Sequence, residues 1–196
     1  MKIMKPGLIL YLGLTLLTGA AYPSAVTGLS RLLFEDKADG SLLMMGKIAR
    51  GSRLIGQNFT SPAYFWPRPS ASDYSALPAA ASNLGPTSAI LKKTIADRKE
   101  RLAPYFVGPI PADLLFASAS GLDPEISPEA ALAQVEHVAK ARHLSDQAKA
   151  GLIEMVRSRT APPQWRIFGA PRVNVLMLNL AIDEKLGTPE SKGGRP

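Results

Sequence analysis

The 196-residue sequence contains no cysteine. That removes disulfides, thiol nucleophiles and thiolate metal sites from consideration. Histidine is almost as scarce: His137 and His143 are the only two, and six apart they fall on different faces of a helix or beyond its end, so they read as surface or partly buried imidazoles and not as converging metal ligands. The chain also lacks Gly-x-Ser-x-Gly and Ser-x-x-Lys, so no serine stands beside a base in a known hydrolase pattern. Neither Gly-x-x-x-x-Gly-Lys-Ser/Thr nor Gly-x-Gly-x-x-Gly occurs, so no glycine-rich loop cradles a phosphate. No catalytic residue and no metal ligand are expected. The formal charge is +7, of which Lys2, Lys5 and Arg31 supply three. The rest of the chain mixes both signs, with no basic tract of the kind that binds nucleic acid.

Charge itself is missing from one long stretch. Between Lys5 and Arg31 lie 25 consecutive uncharged residues, opening Pro6-Gly7-Leu8-Ile9-Leu10-Tyr11-Leu12. A helix of about 20 predominantly apolar residues crosses roughly 30 Å of hydrocarbon, so this run is long enough to span a membrane. A cleaved signal peptide is the rival, with Lys2 and Lys5 at its head, an apolar core from Leu8 to Leu17, and Thr18-Gly19-Ala20 as the cut. Tyr22, Val26, Leu29, Leu32, Leu33 and Phe34 carry the apolar character beyond that point and favour a retained helix. A short basic tail before a single span tends to stay in the cytoplasm, which places the domain after it outside.

Beyond the span, the sequence reads as a mixed α+β domain with a small sheet. Glu35-Asp36-Lys37-Ala38-Asp39-Gly40-Ser41 is a polar segment emerging into water. From Ser41 to Phe59, short apolar stretches alternate with Gly46, Gly51 and Gly56, a pattern of short strands and tight turns. Pro62, Pro67, Pro69, Pro78 and Pro86 make the next segment loop, because proline at that density breaks helices and ladders alike. Its Tyr64-Phe65-Trp66 cluster indicates that part of it is packed.

Helices come next. Thr87 or Ser88 caps one that runs to about Ala103. Ser127-Pro128 starts another, which reaches Arg142 with Ala131, Leu132, Val135, Val138 and Ala139 at three-and-four spacing. Ser145 caps a third, ending near Arg157, with Leu152, Met155 and Val156 inward. The apolar segment from Val173 to Leu186 is expected to begin as a strand and pass into a helix. The expected division is 1–34 for the tail and span, 35–187 for the domain and 188–196 for a flexible tail.

Three segments are more particular than a core requires. Gly51-Ser52-Arg53-Leu54-Ile55-Gly56-Gln57-Asn58-Phe59 ends in two adjacent amides and an aromatic. Phe65-Trp66-Pro67-Arg68-Pro69 sets an arginine between two stiff residues. Ser118-Ala119-Ser120-Gly121-Leu122-Asp123-Pro124 is a small-residue turn, suited either to offering N–H groups to an anion or simply to leading into a capped helix. Gln57, Asn58, Arg68, Ser118, Ser120, Gly121 and Asp123 are therefore the contact candidates. In the span, Thr15 with Gly19 and Ala21 with Ala25 give small-x-x-x-small faces for other membrane helices, and Pro23 is placed to kink or end the helix.

Taken in order, these segments resemble one family. They are the single span, Leu54-Ile55-Gly56-Gln57-Asn58-Phe59, Arg68-Pro69-Ser70-Ala71, Ser82-Asn83-Leu84-Gly85-Pro86, Ser118 through Asp123, Val138-Ala139-Lys140-Ala141-Arg142 and Val173-Asn174-Val175-Leu176 with Leu178-Asn179-Leu180-Ala181-Ile182-Asp183. The chain is similar to the KdpC family, the C subunits of bacterial potassium-transporting P-type ATPase complexes. The Ala- and Ser-rich stretch between Pro69 and Asn83 departs from the pattern.

The resemblance implies a non-catalytic accessory subunit of the bacterial inner membrane, amino terminus in the cytoplasm and domain in the periplasm. Its implied partners are a potassium-channel-like subunit and an ATP-hydrolysing subunit, together with membrane lipid. The chain has neither Asp-Lys-Thr-Gly nor a Thr-Val-Gly-Tyr-Gly filter, nor any charge in its span where an ion path would need one. ATP and potassium are thus expected to be handled by the complex, with no cofactor on this chain. The family is also associated with ATP binding as a catalytic chaperone; contact at Gln57 or the 118–123 turn would require the domain on the cytoplasmic side. A different class remains as the alternative: a secreted periplasmic binding protein with its pocket around Arg68.

Overall fold

The computed structural model describes residues 4–46, 48–77 and 80–189. The chain forms two compact units, Met1–Ser52 and Arg53–Pro196. The first begins with α1 (Met4–Leu16), which continues through a π turn (Leu17–Ala21) into α2 (Tyr22–Ala38). Together they make one 35-residue helix. Between Lys5 and Arg31 it presents no charge to a bilayer, and a helix satisfies its own backbone bonds, as hydrocarbon demands. At 1.5 Å per residue it is about 50 Å long and outlasts the hydrocarbon.

Pro23 explains the π turn. Its ring has no N–H and crowds the carbonyl four residues earlier, and widening one turn relieves this. The Tyr22 N–H then reaches the Leu17 carbonyl, and the Thr18 hydroxyl donates to Leu14 O at 2.7 Å. Proline thus neither ends the helix nor breaks it. The polar segment expected to leave the helix after Phe34 stays helical to Ala38. Phe34 itself departs to φ −142°, ψ 49° and marks a kink, after which Glu35 to Ala38 complete a final turn among charged, water-seeking side chains.

A hairpin comes next, β1 (Leu42–Met45) against β2 (Ile48–Ser52), antiparallel, with a bulge between Leu43 and Met44. Gly46 opens its turn at φ +64°, a conformation glycine adopts without steric cost. The Ser52 hydroxyl donates to Gly40 O at 2.7 Å, closing the hairpin on its base.

In the second unit, no helix or strand forms among the described residues from 53 to 88: the prolines predict this beyond Ser61, whereas the short strands expected as far as Phe59 end at Ser52; Pro78 and Ala79 lie outside the described residues. Among the described residues, five α-helices, a 3-10 turn (Ala103–Tyr105) after the first of them and a second two-stranded sheet follow: α3 (Ala89–Leu102), the one-turn α4 (Ala112–Leu115), β3 (Glu125–Ile126), α5 (Pro128–Ala141), α6 (Asp146–Ser158), β4 (Val173–Asn174) and α7 (Val175–Leu186). The caps are those read from sequence. Ser88, Ser127 and Ser145 each accept a hydrogen bond from the N–H three residues on, a device worth about 1 kcal/mol per helix. Asn174 caps α7 in the same way through Met177 N, so the strand passes directly into the helix. β3 and β4 pair antiparallel, Glu125 with Asn174 and Ile126 with Val173.

The core lies where α5, α6 and α7 meet the sheet. Phe65, Ile126, Val135, Val138, Leu152, Val156, Val173, Leu178 and Ile182 are all buried there. Burying a side chain of this size stabilises by about 1.5–3 kcal/mol. Alanines 130, 131 and 139 on α5 let neighbouring backbones approach closely. Of the 188–196 tail, residues 190–196 lie outside the described residues.

Candidate functional site

Two buried amides organise the second unit. Asn179 of α7 accepts from Phe65 N and donates to Phe65 O, both at 2.9 Å. Gln134 of α5 accepts from Trp66 N at 2.7 Å and donates to Trp66 O at 3.2 Å. Neither amide side chain is accessible to water. A loop with no sheet to join thus finds its backbone partners on two helices, and the buried groups of Phe65 and Trp66 are paired. This fixes the departure of the Pro67-Arg68-Pro69 segment.

Downstream of that clamp, the candidate residues meet. Arg68 Nη1 lies 2.9 Å from Asp123 Oδ2, and Ser118 N donates to Pro69 O at 3.0 Å. Gly56 N donates to Leu122 O at 2.7 Å. Gln57, Arg68, Ser118, Gly121 and Asp123 are therefore neighbours, contributed by three loops far apart in sequence. Asn58 is exposed at the edge, its amide 3.5 Å from the Asp73 carboxylate.

Glycine is required at two of these crossings. A Cβ on Gly56 would stand 2.6 Å from the Asp123 carbonyl oxygen, and one on Gly121, at φ +71°, would stand 2.8 Å from Ala80 O. Backbone cannot yield as a side-chain tip does. Gly56→Ala is expected to destabilise by about 1–3 kcal/mol, read as a lowered midpoint in denaturant unfolding of the full chain in mild detergent; an unchanged midpoint would mean the 122–123 backbone is free to move away.

Two N–H groups of the turn at 118–123 are bonded within it. Gly121 N donates to Ser118 O at 3.3 Å, and Leu122 N to the Ser120 hydroxyl at 3.1 Å. Asp123 Oδ1 accepts from Glu125 N at 3.0 Å. At the start of α5 the anion is already present in the chain: Asp113 Oδ2 accepts from Ser127 N at 2.7 Å, where a helix favours negative charge. The capped helix entrance expected after the turn is formed, Ser127 accepting from Ala130 N at 3.1 Å. Ser120 is exposed with its hydroxyl engaged by Leu122.

Two donors at this meeting point stay unused. Gln57 Nε2 and Arg68 Nε are buried and have no hydrogen-bond partner among the described residues. Beside them opens a cleft of about 670 Å³ between the 58–74 loop and α3, lined by Asn58, Trp66, Tyr74, Arg98, Arg101 and Tyr105 among others. Burial, and then the charge of Asp73, push the Tyr74 phenol up to about 12; its hydroxyl donates to Arg68 O at 2.8 Å. The cleft has aromatic walls and two guanidiniums, of which Arg98 is held by the Leu115 carbonyl at 2.7 Å.

A second polar centre escaped sequence reading. Arg142 is nearly inaccessible and pairs with Asp183 at 2.7 Å. It also donates to Ala63 O at 2.7 Å and Gly187 O at 2.8 Å, and lies over the Tyr64 ring, 4.9 Å from its centroid. The Tyr64 hydroxyl donates to Asp183 Oδ2 at 2.8 Å. Burial, reinforced by that carboxylate, pushes the Tyr64 phenol up to about 12. Arg142 and Asp183 stand in segments that carry the family resemblance, yet nothing in their spacing announces that they pair.

His137 is buried against the same loop. A carbonyl can only accept, so Nδ1–H donates to Pro62 O at 3.0 Å, and the ring stacks on Trp66 at 4.3 Å. Burial pushes the imidazole down to about 4, against the raising effect of the Pro62 bond. The unfolded chain takes up this proton near pH 6.5 and the folded chain only near 4. Stability is therefore full above pH 6.5 and falls as pH drops toward 4, by about 3 kcal/mol from this group. Denaturant midpoints measured across that range should fall less steeply in His137→Phe than in the parent. His143, beyond the helix end at φ +53°, is exposed.

In the first unit, Thr15 and Gly19 straddle the start of the π turn, while Ala21 and Ala25 leave it. No residue of the helix is buried in its own unit.

Comparison with known proteins matches residues 4–184 to the family model described as KdpC: K+-transporting ATPase, c chain. The potassium-transporting ATPase KdpC subunit of Serratia proteamaculans (strain 568) is 49% identical over 189 residues, covering 93% of this chain and 98% of that one. The KdpC subunit of Dechloromonas aromatica (strain RCB) is 48% identical over 187 residues, 92% and 96% of the two chains. That of Rhodospirillum rubrum is 49% identical over 190 residues, 94% and 97%.

Proposed function

The chain belongs to the KdpC family and is a subunit of a potassium-transporting ATPase complex, and from that premise we propose that it works by assembly. It holds the potassium-channel-like subunit and the ATP-hydrolysing subunit together, while ATP and potassium are handled by those partners. The observation that carries this is the helix Met4–Ala38, apolar across its span and with none of that stretch buried. An uncovered helix of this kind needs lipid and other helices around it. The match from residue 4 includes the helix, and nothing in the comparisons favours the secreted alternative.

The second unit sits in the periplasm and the amino terminus in the cytoplasm of a single-pass inner-membrane protein. The short basic tail before the span supports this orientation. The residues around Arg68 and Asp123 serve as a rigid contact scaffold, with Gln57 and Asn58 at its rim, and the small residues Thr15, Gly19, Ala21 and Ala25 face neighbouring membrane helices. Of the expected domain 35–187, residues 35–52 belong to the unit of the helix and hairpin and the remainder to the second unit.

Affinity purification of the full chain from mild detergent, with mass spectrometry of what accompanies it, tests the reading. Recovery of a P-type ATPase subunit and a polytopic potassium-pathway subunit is expected. A chain recovered alone, with a new terminus near Ala21, contradicts it. Alkaline phosphatase fused to the carboxyl terminus should be active; inactivity, with green fluorescence from the corresponding fusion, reverses the orientation.

A further inference from the structure

Between α6 and β4 the chain throws out a loop that neither the core nor the meeting point of Arg68 and Asp123 uses. It is pinned at its base by pairing of Ala161 with Arg172, and nearer its tip by pairing of Gln164 with Phe168. Arg172 is further held 3.0 Å from the Glu125 carboxylate. At the tip, Arg166 N donates to Pro163 O at 2.8 Å and Ile167 N to Gln164 O at 3.1 Å. Trp165 and Arg166 take φ of +52° and +63°, a left-handed backbone that bulky residues avoid. Such conformations persist only where the surroundings impose them, and they cluster at functional sites.

The result is an apolar knob held out in solvent. Trp165 is 79%, Ile167 75% and Phe168 60% exposed, and the Trp165 and Phe168 rings brace each other edge to face at 6.0 Å. Exposed apolar clusters of this kind mark interaction sites. The charge along this stretch of sequence has one sign: from Met155 through Ile182 there are four arginines and no carboxylate. Arg172 is neutralised by Glu125, and no ion pair among the described residues involves Arg157, Arg159 or Arg166.

We infer that the Trp165–Arg166–Ile167–Phe168 knob docks into an apolar pocket with an acidic rim on another subunit of the same ATPase complex. This rests on the chain being one subunit among several. Tryptophan, arginine and phenylalanine are the residues that dominate protein interfaces when seated in pockets. A backbone fixed before contact lowers the ordering cost of fitting a shaped site. A bilayer surface is the other apolar, anionic candidate, but it is fluid and demands no fixed shape. Electrostatic attachment to lipid also draws on clusters of about 4–8 basic residues, and beside the paired Arg172 only Arg157, Arg159 and Arg166 stand on this stretch.

The test uses the full chain co-expressed with its partner subunits in membranes. A photoreactive benzoylphenylalanine at position 167 is expected to crosslink to a subunit of the ATPase, identified by mass spectrometry. The same probe in place of Ala150, exposed on α6, serves as the reference and is expected to give about tenfold less product, the factor that separates a seated side chain from a passing one. Lipid adducts alone at 167, or no protein adduct from an intact complex, overturn the inference. Trp165→Ser with Arg166→Glu should lower co-purified subunits about tenfold, as loss of an interface anchor does, while leaving the chain's circular dichroism unchanged; full recovery of partners overturns it. If the unsubstituted chain brings down no subunits at all, the complex reading itself fails, and that result is separate from the knob's.

Discussion

Arg142→Ala is expected to destabilise the second unit by about 3–5 kcal/mol, the cost of leaving one partner of a buried ion pair without the other. The guanidinium at this position has several partners at once. It neutralises Asp183 at 2.7 Å, satisfies the carbonyls of Ala63 and Gly187, and lies over Tyr64. Removing it leaves Asp183 without its counter-charge, with the Tyr64 hydroxyl still bonded to Oδ2, and takes the guanidinium donor from the Ala63 carbonyl. Arg142→Lys keeps the charge but not the planar fork that reaches several acceptors, so it should recover only part of the loss.

The measurement is denaturant unfolding of the full chain in mild detergent. Arg142→Ala with Asp183→Asn should be less destabilised than the sum of the single changes, because the stranded charge is gone. Strict additivity would mean that the two side chains do not act as a pair.

Asn179→Leu carries the second large effect, about 2–6 kcal/mol. Leucine fits the volume but leaves Phe65 N–H and C=O, both tied to Asn179 at 2.9 Å, without partners. Each unsatisfied buried backbone group costs about 1–3 kcal/mol. Gln134→Leu should behave similarly through Trp66. The two substitutions together should cost less than their sum, because losing either grip already frees the shared Phe65-Trp66 segment. Hydrogen exchange at the Phe65 and Trp66 amides checks this directly: both should accelerate in each variant, and protection that survives in Asn179→Leu would show that the clamp is not what holds the loop.

The same residues mark the limit of what is legible in the sequence. Helices are readable because their information is local. Ser88, Ser127 and Ser145 announce three caps within a few residues of the apolar stripes they serve, and the structure places the caps there. The passage from strand to helix at Asn174 is readable for the same reason. The residues that tie loops to helices are not. Gln134 and Asn179 look like isolated polar residues on apolar faces, and their partners are 68 and 114 positions away.

The Arg68–Asp123 pair is a middle case. Both residues stand out by their local setting, between prolines and in a small-residue turn, but their pairing is a tertiary fact. Phe34 is another middle case: hydropathy drops there and the helix kinks at this residue, while helical residues continue to Ala38. The π turn before Pro23 is equally out of reach, since proline alone is compatible with a kink, a stop or a widened turn.

The central claim is that the chain enables a potassium-transporting ATPase without supplying its chemistry. Potassium-stimulated ATP hydrolysis, measured on the partner subunits expressed with and without this chain, addresses it most directly. The account predicts that hydrolysis is lost without the chain, returns when the full-length chain is co-expressed, and is absent from the chain purified alone. Full potassium-stimulated hydrolysis in its absence would contradict the accessory role, and hydrolysis by the isolated chain would contradict its lack of a catalytic centre.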